Sequence, residues 1–417
     1  MRSSTRSDCG ILRCPCGTDV TMKTVHIKRK FRVLLLICSF TLLLLLLLLS
    51  WSGCPSGGCV RHTGPYIRQL PHREWRNTTH KTILRWTGFF GDMSWEQSDD
   101  RYFQRCKVKT CKLTQDKDKV GEADALLFHA GSTFNFWRGI TWPTVRLPHQ
   151  VWIMYNVEPP PRTPLNFQNL AGLFNWTAWY RFDSDVPVTY GGLVKYDSDM
   201  LNKYSKTSRN FSAERPRLAG WMSSNCYDYS RRLVVINKIK HHLPLETYGK
   251  CGVRRCPETI CRDTISVYKF FFAIENCLCK DYVSEKFWEA LRRQQVPVVL
   301  GGADYQKFAP PHSFINIADF PDMKSLGDYL LKLEKDEQAY NKYLEWTKSY
   351  DVYGELEARR LFWCDLCEAL HDKSRPAQVY DNLDGWVNDE PESCPQWTLG
   401  NQLGRWLDGL KIKWSLM

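Results

Sequence analysis

Tyr268-Lys269-Phe270-Phe271-Phe272-Ala273-Ile274-Glu275-Asn276, followed after a short cysteine-bearing loop by Lys280-Asp281-Tyr282-Val283-Ser284-Glu285-Lys286-Phe287-Trp288, is the densest stretch of the chain. Its first part, after Tyr268 and Lys269, is an unbroken aromatic and aliphatic run closed by a carboxylate and an amide, the pattern of a buried strand. Its second part starts a helix near Ser284, with Phe287, Trp288 and Leu291 spaced to face a core. A buried strand, a short loop and a helix make part of a βαβ unit, so a parallel sheet is expected. Glu285 and Lys286 fall in the first helical turn, where free N–H groups attract phosphate. Lysine offers a point charge to a diphosphate, and glutamate can accept bonds from a ribose diol. In the plainer reading, the same residues make an amphipathic helix start with an exposed ion pair.

Working outward, short apolar runs recur at Thr82–Trp86, Ala125–Phe128, Val151–Tyr155, Leu218–Met222 and Val296–Leu300. Amphipathic stretches lie among them at Tyr229–Leu243, Glu285–Gln294 and Lys324–Trp346. This alternation predicts an α/β chain whose parallel sheets are covered on both faces. A polar, Pro- and Gly-bearing zone from Tyr190 to Pro216 divides the strands into two sets. Two Rossmann-like halves on either side would leave a cleft at the carboxyl ends of their strands.

Two further stretches offer chemistry. Val151-Trp152-Ile153-Met154-Tyr155-Asn156-Val157-Glu158-Pro159-Pro160-Pro161 runs an apolar strand into a carboxylate followed by three prolines. Proline holds the residue before it extended, so Glu158 stays at a strand end, where α/β folds present groups to ligands. Ser224-Asn225 with Arg231 and Arg232 follows the strand Leu218–Met222, and arginine can grip a pyrophosphate bidentately. A surface loop glutamate and a solvated basic face are the bland alternatives. Two Asp-Ser-Asp triplets, Asp183–Asp185 and Asp197–Asp199, could hold Mn2+ against a sugar-nucleotide diphosphate, but such triplets are common by chance.

The N-terminus carries a different message. Of the 417 residues, with formal charge +12, residues 1–32 hold eight Lys/Arg against two Asp. The remaining excess is modest, which argues against a nucleic-acid surface and suits phosphate-bearing ligands. Val33 to Leu49 is an uncharged, leucine-dominated run extended by Ser50 and Trp51, approaching the roughly 20 residues a membrane helix needs. Lys28, Arg29, Lys30 and Arg32 precede it, so the positive-inside rule keeps residues 1–32 cytoplasmic and sends the rest across. That basic region and that run are long for a cleaved signal peptide, so 33–51 is read as an uncleaved signal-anchor. Residues 52–80, rich in Gly and Pro, read as a stem. Thirteen of the 17 cysteines lie beyond the anchor, where an oxidising lumen turns them into disulfides. Local bridges are expected for Cys364–Cys367 and open to Cys106/Cys111, while Cys251, Cys256 and Cys261 form a cluster. Sequons at Asn77, Asn175 and Asn210 also fall on the lumenal side.

Taken together, these stretches resemble the α-1,3-fucosyltransferases, glycosyltransferase family ten. Trp152–Pro159 resembles the family's strand leading to Asn-x-Glu-Ser/Pro-Pro. Asn175-Trp176-Thr177, Tyr180-Arg181, Asp183-Ser184-Asp185 and Tyr190-Gly191 resemble its second block. Thr247–Gly252 is similar to its tyrosine-glycine turn, and Tyr268–Trp288 with Val296–Gly301 to its donor signature. The likeness spans about residues 81–350. It implies a GT-B fold: an acceptor-side Rossmann-like domain (81–205), a GDP-fucose-binding one (206–360) facing it across a cleft, and a cysteine-containing extension (361–417). It also implies an inverting transfer of L-fucose from GDP-β-L-fucose in α-1,3 linkage to GlcNAc of a glycoprotein or glycolipid glycan. Glu158 matches the general base. Tyr282, Glu285 and Lys286 match donor contacts, with Glu275 and Asn276 beside them, and Arg232 matches the donor-binding arginine, with Arg231 the alternative. No metal is obligatory, stimulation by Mn2+ or Mg2+ being left open, and the membrane is that of the Golgi. Cys277, standing where serine is usual, is the candidate for an unpaired lumenal thiol. Phe182 replaces a common arginine, and Ser284 a threonine. Two other readings stand beside this one: a metal-dependent transferase of another nucleotide sugar, and a non-catalytic lectin-like membrane glycoprotein.

Overall fold

The computed structural model describes residues 67–72, 78–90, 101–133, 142–163, 165–205, 208–255 and 264–388, together with residues 74, 76, 92 and 394. The apolar run 33–51 and Asn77 lie outside them. Among the described residues no helix is long and apolar enough to cross a membrane.

After a short strand β1 (Ile67–Gln69), five parallel strands form the first sheet: β2 (Lys81–Arg85), β3 (Cys111–Thr114), β4 (Ala125–His129), β5 (Val151–Tyr155) and β6 (Trp176–Ala178), in the order β3-β2-β4-β5-β6. β2, β4 and β5 are buried along their whole length, and β4 and β5 accordingly carry successive apolar residues rather than an alternating pattern, while β2 buries Lys81, Thr82 and Arg85 at its ends. Next come β7 (Gly192–Lys195) and helix α1 (Ser198–Tyr204), inside the zone expected to be a linker. The second sheet, also parallel, contains β8 (Arg217–Met222), β9 (Leu245–Tyr248), β10 (Tyr268–Ile274), β11 (Val296–Leu300) and β12 (Ile315–Asn316), in the order β12-β11-β10-β8-β9. Helices α2 (Arg232–Ile239), α3 (Glu285–Arg292) and α4 (Met323–Lys335) accompany it, and α5 (Glu337–Lys342) follows. The single amphipathic stretch expected from Lys324 to Trp346 is divided at Asp336. That residue ends α4 in an extended conformation while its carboxylate caps α5 by accepting from the Ala339 N–H. The chain is thus an α/β protein with two parallel five-stranded sheets.

Its last part does not trail away from these layers. β13 (Tyr350–Tyr353) pairs antiparallel with β7. Helix α6 (Glu355–His371) then buries Phe362, Trp363, Leu366 and Leu370 with Ile83, Leu113, Ile153 and Trp176 of the first sheet. β14 (Gln378–Tyr380) pairs antiparallel with β1, and α7 (Leu383–Asn388) adds Trp386 to the other face, with Trp152 and Trp179. The loop after β10 crosses in the opposite sense. Cys277, Cys279 and Tyr282 leave the second sheet and bury themselves in that same first-sheet cluster.

The disulfides follow this return of the chain and correct the expected Cys364–Cys367 bridge. Cys364 pairs with Cys106 and Cys367 with Cys111, closing loops of 258 and 256 residues. Three residues apart on α6, the two side chains leave the same helix face toward the segment they pack on, not toward each other. Cys106/Cys111 is therefore no local pair either. Cys251 bonds Cys226 and Cys279 bonds Cys394, while Cys256 and Cys261 lie outside the described residues. Cys277 is free and buried.

Candidate functional site

Glu158 stands three residues beyond the carboxyl end of β5. Pro159, extended at φ −70° and ψ 161°, keeps a helix from starting there, and Pro160–Arg162 makes only a 3-10 turn. The Glu158 side chain is 27% exposed. Its Oε2 is shielded from water without a hydrogen-bond partner among the described residues, although the Arg162 Nε stands 3.8 Å away. Burial raises the carboxyl above the ordinary glutamate range against the pull of Arg162 and Lys286, while Glu285 and Glu275 push it further up. A carboxylate so perturbed, with one oxygen poorly satisfied, is primed to accept a proton.

At the end of β10, Glu275 is fully buried. Its Oε1 accepts from the Ser284 N–H (2.8 Å) and its Oε2 from the Ser284 hydroxyl (2.6 Å), joining the strand end to the start of α3. Ser284 thus serves Glu275 rather than capping its own helix. The Lys286 ammonium donates to Ser284 Oγ (2.7 Å) and Glu285 Oε1 (3.0 Å) and stands 3.5 Å from Glu275 Oε2. Burial opposes this charge, yet the two carboxylates hold Lys286 above the ordinary lysine range. At Glu285, half exposed, burial also works against ionisation, but Lys286 keeps the carboxyl below its usual range. Burial raises Glu275 in spite of Lys286.

The two arginines expected after β8 part company. Arg232 is buried, its Nε bonded to Asp228 Oδ2 (2.5 Å) and its terminal nitrogens donating to the carbonyls of Asn225 (3.1 Å) and Ile274 (3.3 Å). Three of its five N–H groups are engaged in this way, and its field reaches Lys286. Arg231 is exposed and adopts a left-handed backbone conformation (φ 54°), unusual for a residue with a Cβ. Tyr282 is buried edge-on to Tyr180 (5.0 Å between rings) and Tyr190 (6.0 Å). Asn276 accepts from the Ser230 N–H through its carbonyl, while its side-chain oxygen is buried without a partner among the described residues.

Glu158, Glu275, Glu285, Lys286, Arg232 and Tyr282 therefore form one electrostatic neighbourhood. Several members escape a sequence reading. Asp228, the counter-charge of Arg232, is signalled only by its i,i+4 spacing. Tyr190 sits in a quoted motif with no role, yet its hydroxyl donates to the Val157 carbonyl (2.7 Å).

Other expected sites have different roles. Asp185 is half-buried and accepts from Thr177, Gln378 and Tyr380, and Asp183 forms a bidentate pair with Arg181. Asp197 caps α1. Asp183, Asp185 and Asp197 thus have structural partners that account for them. Asn175, expected as a glycosylation site, is held inside the first-sheet layer. Its side chain is buried, accepting from the Trp152 N–H and Arg146 and donating from Nδ2 to the Gln378 carbonyl (2.9 Å). A glycan on that nitrogen would have to grow from a buried position. Asn210 lies at the surface, where it bonds Glu337.

Two family models match the chain: "Fucosyltransferase, N-terminal" over residues 78–191 and "Glycosyltransferase family 10 (fucosyltransferase) C-term" over residues 212–386. Alpha-(1,3)-fucosyltransferase C of Drosophila melanogaster is 32% identical over 335 residues, covering 73% of this chain and 77% of the relative. Alpha-(1,3)-fucosyltransferase 4 of Mus musculus is 30% identical over 360 residues, covering 76% and 82%. A crystal structure of an α1,3-fucosyltransferase with GDP-fucose aligns over 71% of this chain and 92% of its own, at 17% identity and a TM-score of 0.45.

Proposed function

This chain belongs to glycosyltransferase family 10, the fucosyltransferases, and on that premise we propose that it is an inverting α-1,3-fucosyltransferase carrying L-fucose from GDP-β-L-fucose to a GlcNAc hydroxyl of a glycan. One observation carries the reading. A partly desolvated carboxylate at the end of a first-sheet strand, Glu158, shares its electrostatic surroundings with Glu275, Glu285 and Lys286 from the second sheet. This supports a GT-B arrangement, with the acceptor on the side of the first sheet and the nucleotide on that of the second.

Glu158 takes the proton of the acceptor hydroxyl as its oxygen forms the new bond to fucose C1. On the opposite face, the bond from C1 to the β-phosphate oxygen breaks and its electron pair leaves with GDP. Lys286, at the start of α3, and Arg232 stabilise the charge that grows on the diphosphate. Attack opposite the leaving group converts the β linkage of the donor into the α linkage of the product. The core GlcNAc of an N-glycan and the GlcNAc of a Gal/GalNAc-GlcNAc antenna are the acceptor classes to compare. The basic tail and the leucine run support a signal-anchor in the Golgi membrane with the catalytic region lumenal. No metal step is needed, and the effect of Mn2+ or Mg2+ is read by adding them to the assay.

The test is fucosyl transfer from GDP-fucose to such an acceptor panel by the unaltered chain and by Glu158→Gln, with GDP affinity measured on both. Glutamine keeps shape and hydrogen bonding but takes no proton, so turnover falls by about 10²–10⁴-fold with GDP binding retained. Near-normal transfer eliminates Glu158 as the base, and a joint loss of GDP binding makes it structural.

A further inference from the structure

Building on the role of Glu158 as proton acceptor, we propose that Asn156 is a positioning residue for it, fixing the carboxylate by holding the Glu158 backbone at both its N–H and its carbonyl. The Asn156 side-chain oxygen accepts from the N–H groups of Val157 (3.0 Å) and Glu158 (3.3 Å). Its amide nitrogen donates to the Glu158 carbonyl (2.9 Å) and to the Thr163 hydroxyl oxygen (2.9 Å). Asn156 is fully buried, and its own N–H donates to the Ala178 carbonyl of β6, so the clamp is anchored on the sheet rather than in the loop. Other side chains close around the same backbone. The Trp179 indole N–H donates to the Glu158 carbonyl (2.8 Å), and the Thr163 hydroxyl lies 3.3 Å from that carbonyl and 3.1 Å from the Pro159 carbonyl. Tyr190, from beyond the first sheet, holds the Val157 carbonyl.

Apart from the Asn156–Thr163 bond that ties two of the clamping side chains together, these bonds end on backbone atoms, and none ends on the Glu158 carboxylate. Satisfying buried carbonyls in a segment whose three prolines supply no N–H accounts for some of them. It does not account for one side chain gripping both backbone groups of the same residue. A general base must reach the proton it takes at about 2.6–3.2 Å. The carboxylate is joined to the backbone by freely turning bonds, so its reach is defined only if the backbone is.

Asn156→Ala and Thr163→Val, measured beside Glu158→Gln, test this. The readouts are kcat, KM for GDP-fucose, GDP affinity, thermal melting and the pH profile of kcat. A displacement of about 1 Å at a reacting group can cost about 10²-fold, and a fall of that order in kcat is expected for Asn156→Ala with GDP affinity unchanged. The acidic limb of the profile should also move down, because a freed carboxylate reaches water. It would then leave Arg162 on its own loop, Lys286, Glu285 and Glu275 across from it, and the nearby Tyr180, Tyr190, Tyr282 and Cys277. Folded variants with unaltered kcat and an unmoved limb overturn the proposal. So does a fall in kcat, GDP affinity and melting temperature together, since that marks a merely structural role. Should Asn156→Ala not fold, Thr163→Val is read by the same criteria. Normal turnover in Glu158→Gln overturns the underlying assignment of the base, a different failure from an inactive Glu158→Gln beside fully active Asn156 and Thr163 variants.

Discussion

Replacing Lys286 with methionine keeps an apolar stem in place and removes one charge, and the structure sets two separate consequences. The first concerns the nucleotide. A diphosphate that loses a charged partner loses about 1.5–3 kcal/mol, and tenfold in affinity corresponds to about 1.4 kcal/mol. GDP should therefore bind about 10- to 10²-fold more weakly. The upper part of that range is expected, because Lys286 also neutralises Glu285 and Glu275, whose carboxylates would then repel the phosphates. The second consequence is for the fold. Glu275 is fully buried with Lys286 as its counter-charge, and removing one partner of such a pair commonly costs about 3–5 kcal/mol. Glu275, already raised by burial, avoids part of that cost by taking up a proton. The double variant Lys286→Met/Glu275→Gln separates the effects: it should recover melting temperature but not GDP affinity. Calorimetry with GDP and thermal melting on the three proteins provide the comparison. Unchanged GDP affinity in the single variant, or affinity that returns with stability in the double one, would refute Lys286 as a phosphate ligand.

Burial sets Glu158 above the ordinary glutamate value of about 4.3, and a base works only when deprotonated. The kcat/KM profile should accordingly fall as pH drops through a limb above that value. Arg162→Leu removes a lowering influence and should move the limb upward; an unmoved limb would detach it from this pair. For the disulfides, chain-entropy reasoning gives an unequal result. With Cys111–Cys367 intact, opening Cys106–Cys364 releases only a short local loop and should cost about 2–3 kcal/mol, whereas opening both releases a very long one and should cost about 5 kcal/mol or more. Denaturant unfolding of Cys106→Ser/Cys364→Ser and of the variant lacking both bridges tests the connectivity, and additive losses would contradict it.

Much of the architecture was legible because burial on both faces leaves a local mark. β5 and β11 are apolar at every step, β10 is apolar at every step but Lys269, and α3 shows its inward residues at helical spacing. The carboxylates and lysine at the strand ends could be picked out for the same reason. Features decided by distant partners were not legible. Asn175 reads as a sequon until Gln378, far along the chain, is seen bonded to its amide. Cys364 and Cys367 look like a pair until α6 is laid against the segment bearing Cys106 and Cys111. Arg231 and Arg232 are interchangeable as letters, and only the helix phase together with Asp228 decides which one is buried. Asn156 was visible in the motif, but its clamp depends on the turn that carries Thr163 back beside it.

The return of α6 and β14 to the first sheet has a consequence for how the protein is made. Synthesis delivers β2 through β6 early, yet Phe362, Trp363, Leu366 and Leu370, which cover one face of that sheet, emerge near the end. The second sheet, built from consecutive chain, can close as it leaves the ribosome. The first must wait with apolar surface bare, a state prone to aggregation. Nascent chains stalled before residue 355 should therefore present a protease-resistant second half joined to a protease-sensitive first half, the reverse of the order in which the two are translated.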